Sequence, residues 1–167
     1  MTIKNLTIGS PLIVSAAAFY QDAWQVEDTT IASRFERHST YPGYCGLVQL
    51  DEKGNIVGLV YGYISKQGQY YHDLLHSALQ ENGKSAWLED CFELVELVVS
   101  PTLRGQGIGT SLLMQLLTDV SNSTAVLTTR EKNTGAIRLY ERNGWELLKD
   151  AFYPNGKAYR IYGKKLL

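Results

Sequence analysis

The chain has 167 residues, with 16 basic and 17 acidic side chains for a formal charge of -1, and 44% of it is hydrophobic. That length suits one domain with a real core, and the near-balanced charge supplies no field of the kind that holds nucleic acid or an anionic membrane. Its two cysteines, Cys45 and Cys91, are too few and too far apart for a disulfide framework or a CxxC metal site, which suits a reducing cytoplasm.

Thr2 to Ile8 alternates polar and apolar residues and predicts a first strand, after which Gly9-Ser10-Pro11 forms a turn and a helix entry. Helices are expected over Leu12 to Trp24 and Thr29 to His38. Lys4 ahead of the apolar run Pro11 to Tyr20 has the look of a cleaved leader. However, Ala16, Ala17 and Ala18 lie inside that run instead of after it, and Gly9 to Pro11 interrupts its start, so an amphipathic helix is the preferred reading. No run approaches the roughly 18 apolar residues of a membrane span.

Tyr41-Pro42-Gly43 marks a loop, and Gly46 to Leu50 and Ile56 to Ile64 read as an antiparallel pair joined through Asp51 to Asn55. Ser65 to Asp90 is less regular. It holds a short helix over His72 to Gln80 and a stop at Glu81-Asn82-Gly83, and resembles an insertion (65–90) within a single domain spanning 1–167.

The centre of the chain is Phe92 to Leu113. Phe92 to Val99 is a buried strand in character, Pro101 ends it, and from Ile108 the apolar spacing lengthens to that of a helix, with Ile108, Leu112, Leu116 and Val120 on one stripe. Ala125 to Thr129 then predicts a strand, Thr134 to Asn143 a helix stopped by Gly144, and Trp145 to Leu148 and Tyr159 to Tyr162 two last strands. The strand-helix-strand unit from Phe92 to Thr129 requires a right-handed crossover and a parallel pair within an otherwise hairpin-built sheet.

Between the central strand and its helix lies a glycine-rich turn. Backbone NH groups without partners at a helix start, together with the helix dipole, favour an anion such as a phosphate. A nucleotide-hydrolase P-loop needs Gly-x4-Gly-Lys-Ser/Thr, which is not present. A dinucleotide turn needs Gly-x-Gly-x-x-Gly, but Gly105, Gly107 and Gly109 are spaced by two, and no acidic residue ends the strand Ala125 to Thr129. Arg104-Gly105-Gln106-Gly107-Ile108-Gly109 instead fits Gln/Arg-x-x-Gly-x-Gly/Ala. Twenty-four residues past Gly109 a second string begins, Asn133-x-x-Ala136-x-x-Leu139-Tyr140-x-x-x-Gly144-Trp145. These two ordered motifs resemble those of the GCN5-related N-acetyltransferases, with Trp145 where phenylalanine is commoner. The resemblance implies an α/β (α+β) fold with a mixed, mostly antiparallel central sheet, a parallel pair at its splayed centre and flanking helices. It is strong over Phe92 to Trp145 and rests on element order elsewhere.

By that resemblance acetyl-coenzyme A is the cosubstrate. Backbone groups of Leu97, Val98 and Val99 would hold the pantetheine arm, and NH groups of Arg104, Gly105, Gln106, Gly107, Ile108, Gly109 and Thr110 would surround the pyrophosphate. Asn133 and Ala136 would lie against the cofactor arm, with Asn133 also suited to an N-cap. Tyr140 would protonate the departing thiolate, and a strand NH near Val98 or Val99 would hold the oxyanion. An alkyl ammonium has a pKa near 10.4, so a carboxylate would remove its proton at neutral pH, directly or through water, with water itself as the alternative base. Glu93 and Glu96 are the candidates on the central strand, with Glu93 ranked first because the family often places a base at the matching position. Strict alternation would put them on opposite faces. Each has the plainer alternative of a solvated or ion-paired carboxylate, as Tyr140 has that of a core tyrosine.

Two other constellations are weaker. His72-Asp73-Leu74-Leu75-His76 sets two imidazoles one helical turn apart, but the glutamate of His-Glu-x-x-His is replaced and a third ligand is missing, so no metal is expected. Cys91 lies near the reactive strand without a His-Asp pair in sequence to activate it, and direct transfer is preferred over an acetyl-cysteine. Trp24, Tyr41, Tyr44, Tyr61, Tyr63, Tyr70, Tyr71 and Trp87 are interleaved with Glu27, Asp28, Glu89, Asp90 and Glu93, a composition that suits a cationic small-molecule or peptide amine as acceptor and equally suits a core with an acidic surface. The expected activity is N-acetyl transfer from acetyl-coenzyme A to a primary amine in a cytoplasmic protein without nucleic-acid or membrane partners. The resemblance admits a homodimer. A non-catalytic acyl-coenzyme A binding module on the same fold is the alternative.

Overall fold

The computed structural model describes residues 1–167. In chain order the elements are β1 (Thr2–Asn5), α1 (Leu12–Trp24), α2 (Ile31–His38), β2 (Cys45–Leu50), β3 (Ile56–Ile64), α3 (Tyr70–Glu81), β4 (Cys91–Val99), α4 (Ile108–Thr118), β5 (Thr124–Arg130), α5 (Thr134–Arg142), β6 (Glu146–Phe152) and β7 (Tyr159–Lys165), with short 3-10 turns at Ser85–Leu88 and Pro101–Leu103. The seven strands form one sheet in the order β1-β2-β3-β4-β5-β7-β6. It is mostly antiparallel, with β4 and β5 the parallel pair that the crossover demands. Their register runs through Cys91↔Thr124, Phe92↔Ala125 and Glu93↔Val126, while β4 itself continues to Val99. No helix is long and apolar enough to cross a membrane.

By density of contacts the chain divides into two units, Met1–Tyr63 with Val95–Val120, and Ile64–Leu94 with Ser121–Leu167. In the first, Ile13, Ala16 and Ala17 of α1 and Ile31 and Phe35 of α2 bury their faces against Val48, Leu50, Leu59 and Tyr61. Gly58 lies in the opposite phase of β3 from Leu59. A Cβ added there would stand 2.7 Å from Leu112 Cδ1 and 3.1 Å from Ile108 Cγ2, so α4 packs on that phase through the space a side chain would occupy.

In the second unit, Leu75, Ala78 and Leu79 of α3 pack with Leu88 and Cys91 against Val126, Leu148, Phe152 and Ile161. Residues 65–90 thus contribute a full helix, Tyr70–Glu81, longer than the one expected from its broken pattern. Its buried His72 bonds Ser65 Oγ through Nδ1 at 2.7 Å, tying the helix to the end of β3.

Several expected boundaries are corrected. β1 ends at Asn5 and not Ile8, because Thr7 to Ser10 closes a turn with Gly9 at φ 74 and the Ser10 NH bonded to the Thr7 carbonyl. α4 ends at Thr118, two residues before Val120, where the Thr118 hydroxyl bonds back to the Met114 carbonyl. β6 starts after Trp145 and runs on to Phe152, with register shifts between Leu147 and Lys149 and again between Lys149 and Phe152, and with Ala151 at φ 50.

Candidate active site

β4 leaves the sheet at Ser100, whose NH bonds the Val57 carbonyl at 2.9 Å, and the Pro101–Leu103 turn brings the chain to Arg104 in extended conformation. Gly105 and Gly107 then take φ of 78 and 84, a left-handed conformation that favours glycine. A Cβ at either glycine would meet nothing within 4 Å, so the mouth of the turn is open. Gly107 is the N-cap of α4 and brings no side chain to the first-turn NH groups. Arg104 to Gly107 are exposed, while Ile108 and Gly109 are buried and anchor the helix start. Gly107, Thr110 and Ser111 continue into an open groove along Met114, Gln115 and Thr118. Before the turn, Val98 is buried and Leu97 and Val99 are half-buried.

On the same unit, the Glu96 carboxylate accepts a hydrogen bond from Arg34 Nη2 at 3.1 Å. Burial pushes the Glu96 carboxyl up to about 7 and the Arg34 charge opposes that rise. Arg34 lies 5.4 Å from the centre of the Tyr20 ring and 5.7 Å from that of Phe35. Burial disfavours its charge, but Glu96, with Tyr20 and Tyr61, more than offsets this and raises its pKa. His38 bonds the Tyr61 hydroxyl through Nδ1 at 2.8 Å; burial first, then Arg37 and Arg34, lower its pKa to about 4, so it is neutral at physiological pH. Val95 packs on the α1–α2 cluster while the next residue, Glu96, also reaches α2.

The second unit carries the other predicted residues. Glu93 is 4% exposed, its Oε1 has no hydrogen-bond partner, and burial pushes its carboxyl up to about 8. Tyr140 is buried in α5, its ring edge-on to Trp145 at 5.9 Å. Trp145 is itself buried, with Nε1 lacking a partner. Asn133 caps α5, its Oδ1 accepting from the Ala136 NH at 3.2 Å. The Cys91 thiol is buried and pushed up to about 12 by desolvation, far from the range of a reactive thiolate. His72 and His76 stack with ring centres 6.3 Å apart, His72 Nδ1 being occupied by Ser65.

A family model described as the acetyltransferase (GNAT) family matches residues 12–145. The chain belongs to the GNAT acetyltransferase family. This GNAT chain is 30% identical over 121 residues to a GCN5-like protein acetyltransferase of Mycobacterium tuberculosis, a match covering 66% of this chain and 59% of that one. It thus spans under two thirds of that relative's length. The fold is shared with an aminoglycoside 6'-acetyltransferase type Ii at a TM-score of 0.74 and 19% identity, over 100% of this chain and 98% of that one. It is shared also with an aminoglycoside 6'-N-acetyltransferase complexed with coenzyme A, at a TM-score of 0.72 and 16% identity over 100% and 98%.

Arg34 and His38 carried no motif. A signal for Arg34 was nonetheless present: with Ile31, Phe35 and His38 it occupies the apolar face of an α2 spaced i, i+3, i+4, i+7, where a charged residue needs a buried partner.

Proposed function

We propose that the protein transfers an acetyl, or another short acyl group, from acetyl-coenzyme A to a primary amine by direct attack in a ternary complex. The observation that carries this reading is the turn Arg104 to Gly109: two left-handed glycines opening on free space, at the N-terminus of a helix capped by a residue without a side chain. Those residues fit a pyrophosphate, since backbone NH groups and a helix dipole attract phosphate and glycine permits close approach. Arg104 to Thr110 would hold the pyrophosphate, and the backbone of Leu97, Val98 and Val99 the amide-rich arm, with Asn133 and Ala136 beside it. When bound, the cosubstrate supplies an activated acyl carbon, and a C–N bond replaces its C–S bond.

Tyr140 is assigned to return a proton to the leaving sulfur, and a backbone NH near Val98 or Val99 to meet the developing oxyanion. Glu93 or Glu96 would take the proton of the acceptor. The aromatic surroundings of α1, α2 and β3 together with Glu96 favour a cationic amine.

Calorimetry with acetyl-coenzyme A, followed by thiol release with n-butylamine, kanamycin, an alanine-initiated peptide and a lysine-containing peptide, tests the proposal. Binding with release for one of these classes is expected. Binding without release for any of them would favour a non-catalytic acyl-coenzyme A module, and absence of binding would overturn the cosubstrate assignment.

A further inference from the structure

Arg34 has no place in the two motifs, yet it is the cation that meets the central strand's second glutamate. Its side chain is 31% exposed and that of Glu96 is 16% exposed, so the 3.1 Å contact is largely withdrawn from water. Such a pair is costly to form but strongly felt once formed, because screening is weak. Tyr20 and Phe35 flank the guanidinium, and its buried Nε lacks a hydrogen-bond partner, so the aromatic packing and the Glu96 contact fix its position together. The titratable groups around Glu96 are Arg34 from α2 and Tyr61 from β3, with neutral His38 behind Tyr61. Glu93, three residues earlier on the same strand, offers a contrast, a buried carboxyl whose Oε1 has no hydrogen-bond partner.

We propose that Arg34 is a positioning residue for the reaction, holding the Glu96 carboxylate ionised and aimed so that Glu96 takes the proton of the acceptor ammonium. This rests on the acetyltransferase reading above. In the step, the N–H bond of the ammonium breaks, its electron pair stays on nitrogen as the nucleophilic lone pair, and the proton joins a Glu96 carboxylate oxygen. No oxidant or reductant is involved. Removing the guanidinium leaves the carboxyl buried without its cation, and the neutral acid cannot accept a proton. An opposite charge at this distance typically shifts a carboxyl by about one to three pH units, so at pH 7 a carboxyl half-ionised in the parent protein would lose about fivefold or more of its ionised form.

The test uses the full chain as Arg34→Met, which keeps the packed stem, Arg34→Lys, which keeps the charge, and Glu96→Gln. Carboxyl titration by 13C NMR in the ligand-free protein, with the Glu96 resonance assigned from its loss in Glu96→Gln, is expected to move up by about one to three pH units in Arg34→Met and to stay near the parent value in Arg34→Lys. Thiol release from acetyl-coenzyme A, with the fastest amine of the panel, should show its acidic limb moved by the same amount in Arg34→Met and restored in Arg34→Lys. A merely structural arginine would lower the rate at every pH and leave the limb in place, which overturns the proposal. An unmoved Glu96 titration overturns it as well. Failure of every amine to release thiol would bring down the acetyltransferase reading, and the positioning role with it, while the titration separately decides whether Arg34 controls the Glu96 charge.

Discussion

Glu93→Gln isolates the energetic consequence of a carboxyl buried without a partner. In the folded protein this group is 4% exposed and pushed up to about 8 from an ordinary value of 4.5 by desolvation. Its folded pKa lies above its unfolded one, so the stability contributed by the neutral form is complete below about pH 4.5 and is lost as pH rises towards about 8. At pH 7 the unfolded chain ionises the group almost fully while the folded chain does so in about one molecule in ten, a difference on the order of 3 kcal/mol against folding. Glutamine carries no such term. Its own buried amide adds a cost that does not vary with pH, so the informative quantity is the change in the variant-minus-parent difference between pH 5 and pH 7, expected at about 2 to 3 kcal/mol in favour of the variant. Urea denaturation of the ligand-free proteins at both pH values measures it, with a rise in relative Tm of roughly 5 to 10 °C as a thermal counterpart for a chain of this size. A difference that is the same at pH 5 and pH 7 would show that Glu93 is not held neutral by the fold.

Further outcomes are expected elsewhere. Tyr140→Phe should lower kcat by about 10² to 10⁴-fold and leave acetyl-coenzyme A affinity within about twofold, as read by steady-state kinetics and calorimetry; unaltered turnover would remove its role as acid. Gly107→Val forces a β-branched residue to φ 84 at the entrance to α4. A reorganised turn should cost about tenfold or more in acetyl-coenzyme A affinity, whereas equal affinity would refute the phosphate cradle. Gly58→Ala should destabilise the protein by about 1 to 3 kcal/mol through the 2.7 Å approach of Leu112, and an unchanged urea midpoint would contradict that close packing.

What the sequence made legible was whatever depends on local chemistry. α1 and β3 begin and end where the turn residues and apolar periods place them, and the Gly105 and Gly107 conformations follow from glycine spacing between a strand and a helix. The parallel β4–β5 pair follows from the handedness of a crossover. Non-local partnerships were not legible. Arg34 meets Glu96 across 62 positions, and only the anomaly of a charge on an apolar helix face hinted at it. Alternation places Glu93 and Glu96 on opposite faces of the strand, but it does not say what each meets, an arginine for Glu96 and no partner for Glu93 Oε1. α3 was underestimated because its helix is stabilised by packing against Val126, Leu148 and Ile161 more than by its own pattern.

The irregularity of β6 bears on how copies of this chain can meet. β6 and β1 are the two margins of the sheet, where backbone donors and acceptors have no neighbouring strand on one side. β1 offers four residues, one of them Lys4, and β6 slips register twice and turns through Ala151 at φ 50. Neither margin presents the long, flat run that a foreign strand needs as a template. Growth of the sheet from molecule to molecule is therefore discouraged at both ends, which guards against fibrous assembly and leaves helix and loop surfaces as the route by which a second copy would be joined.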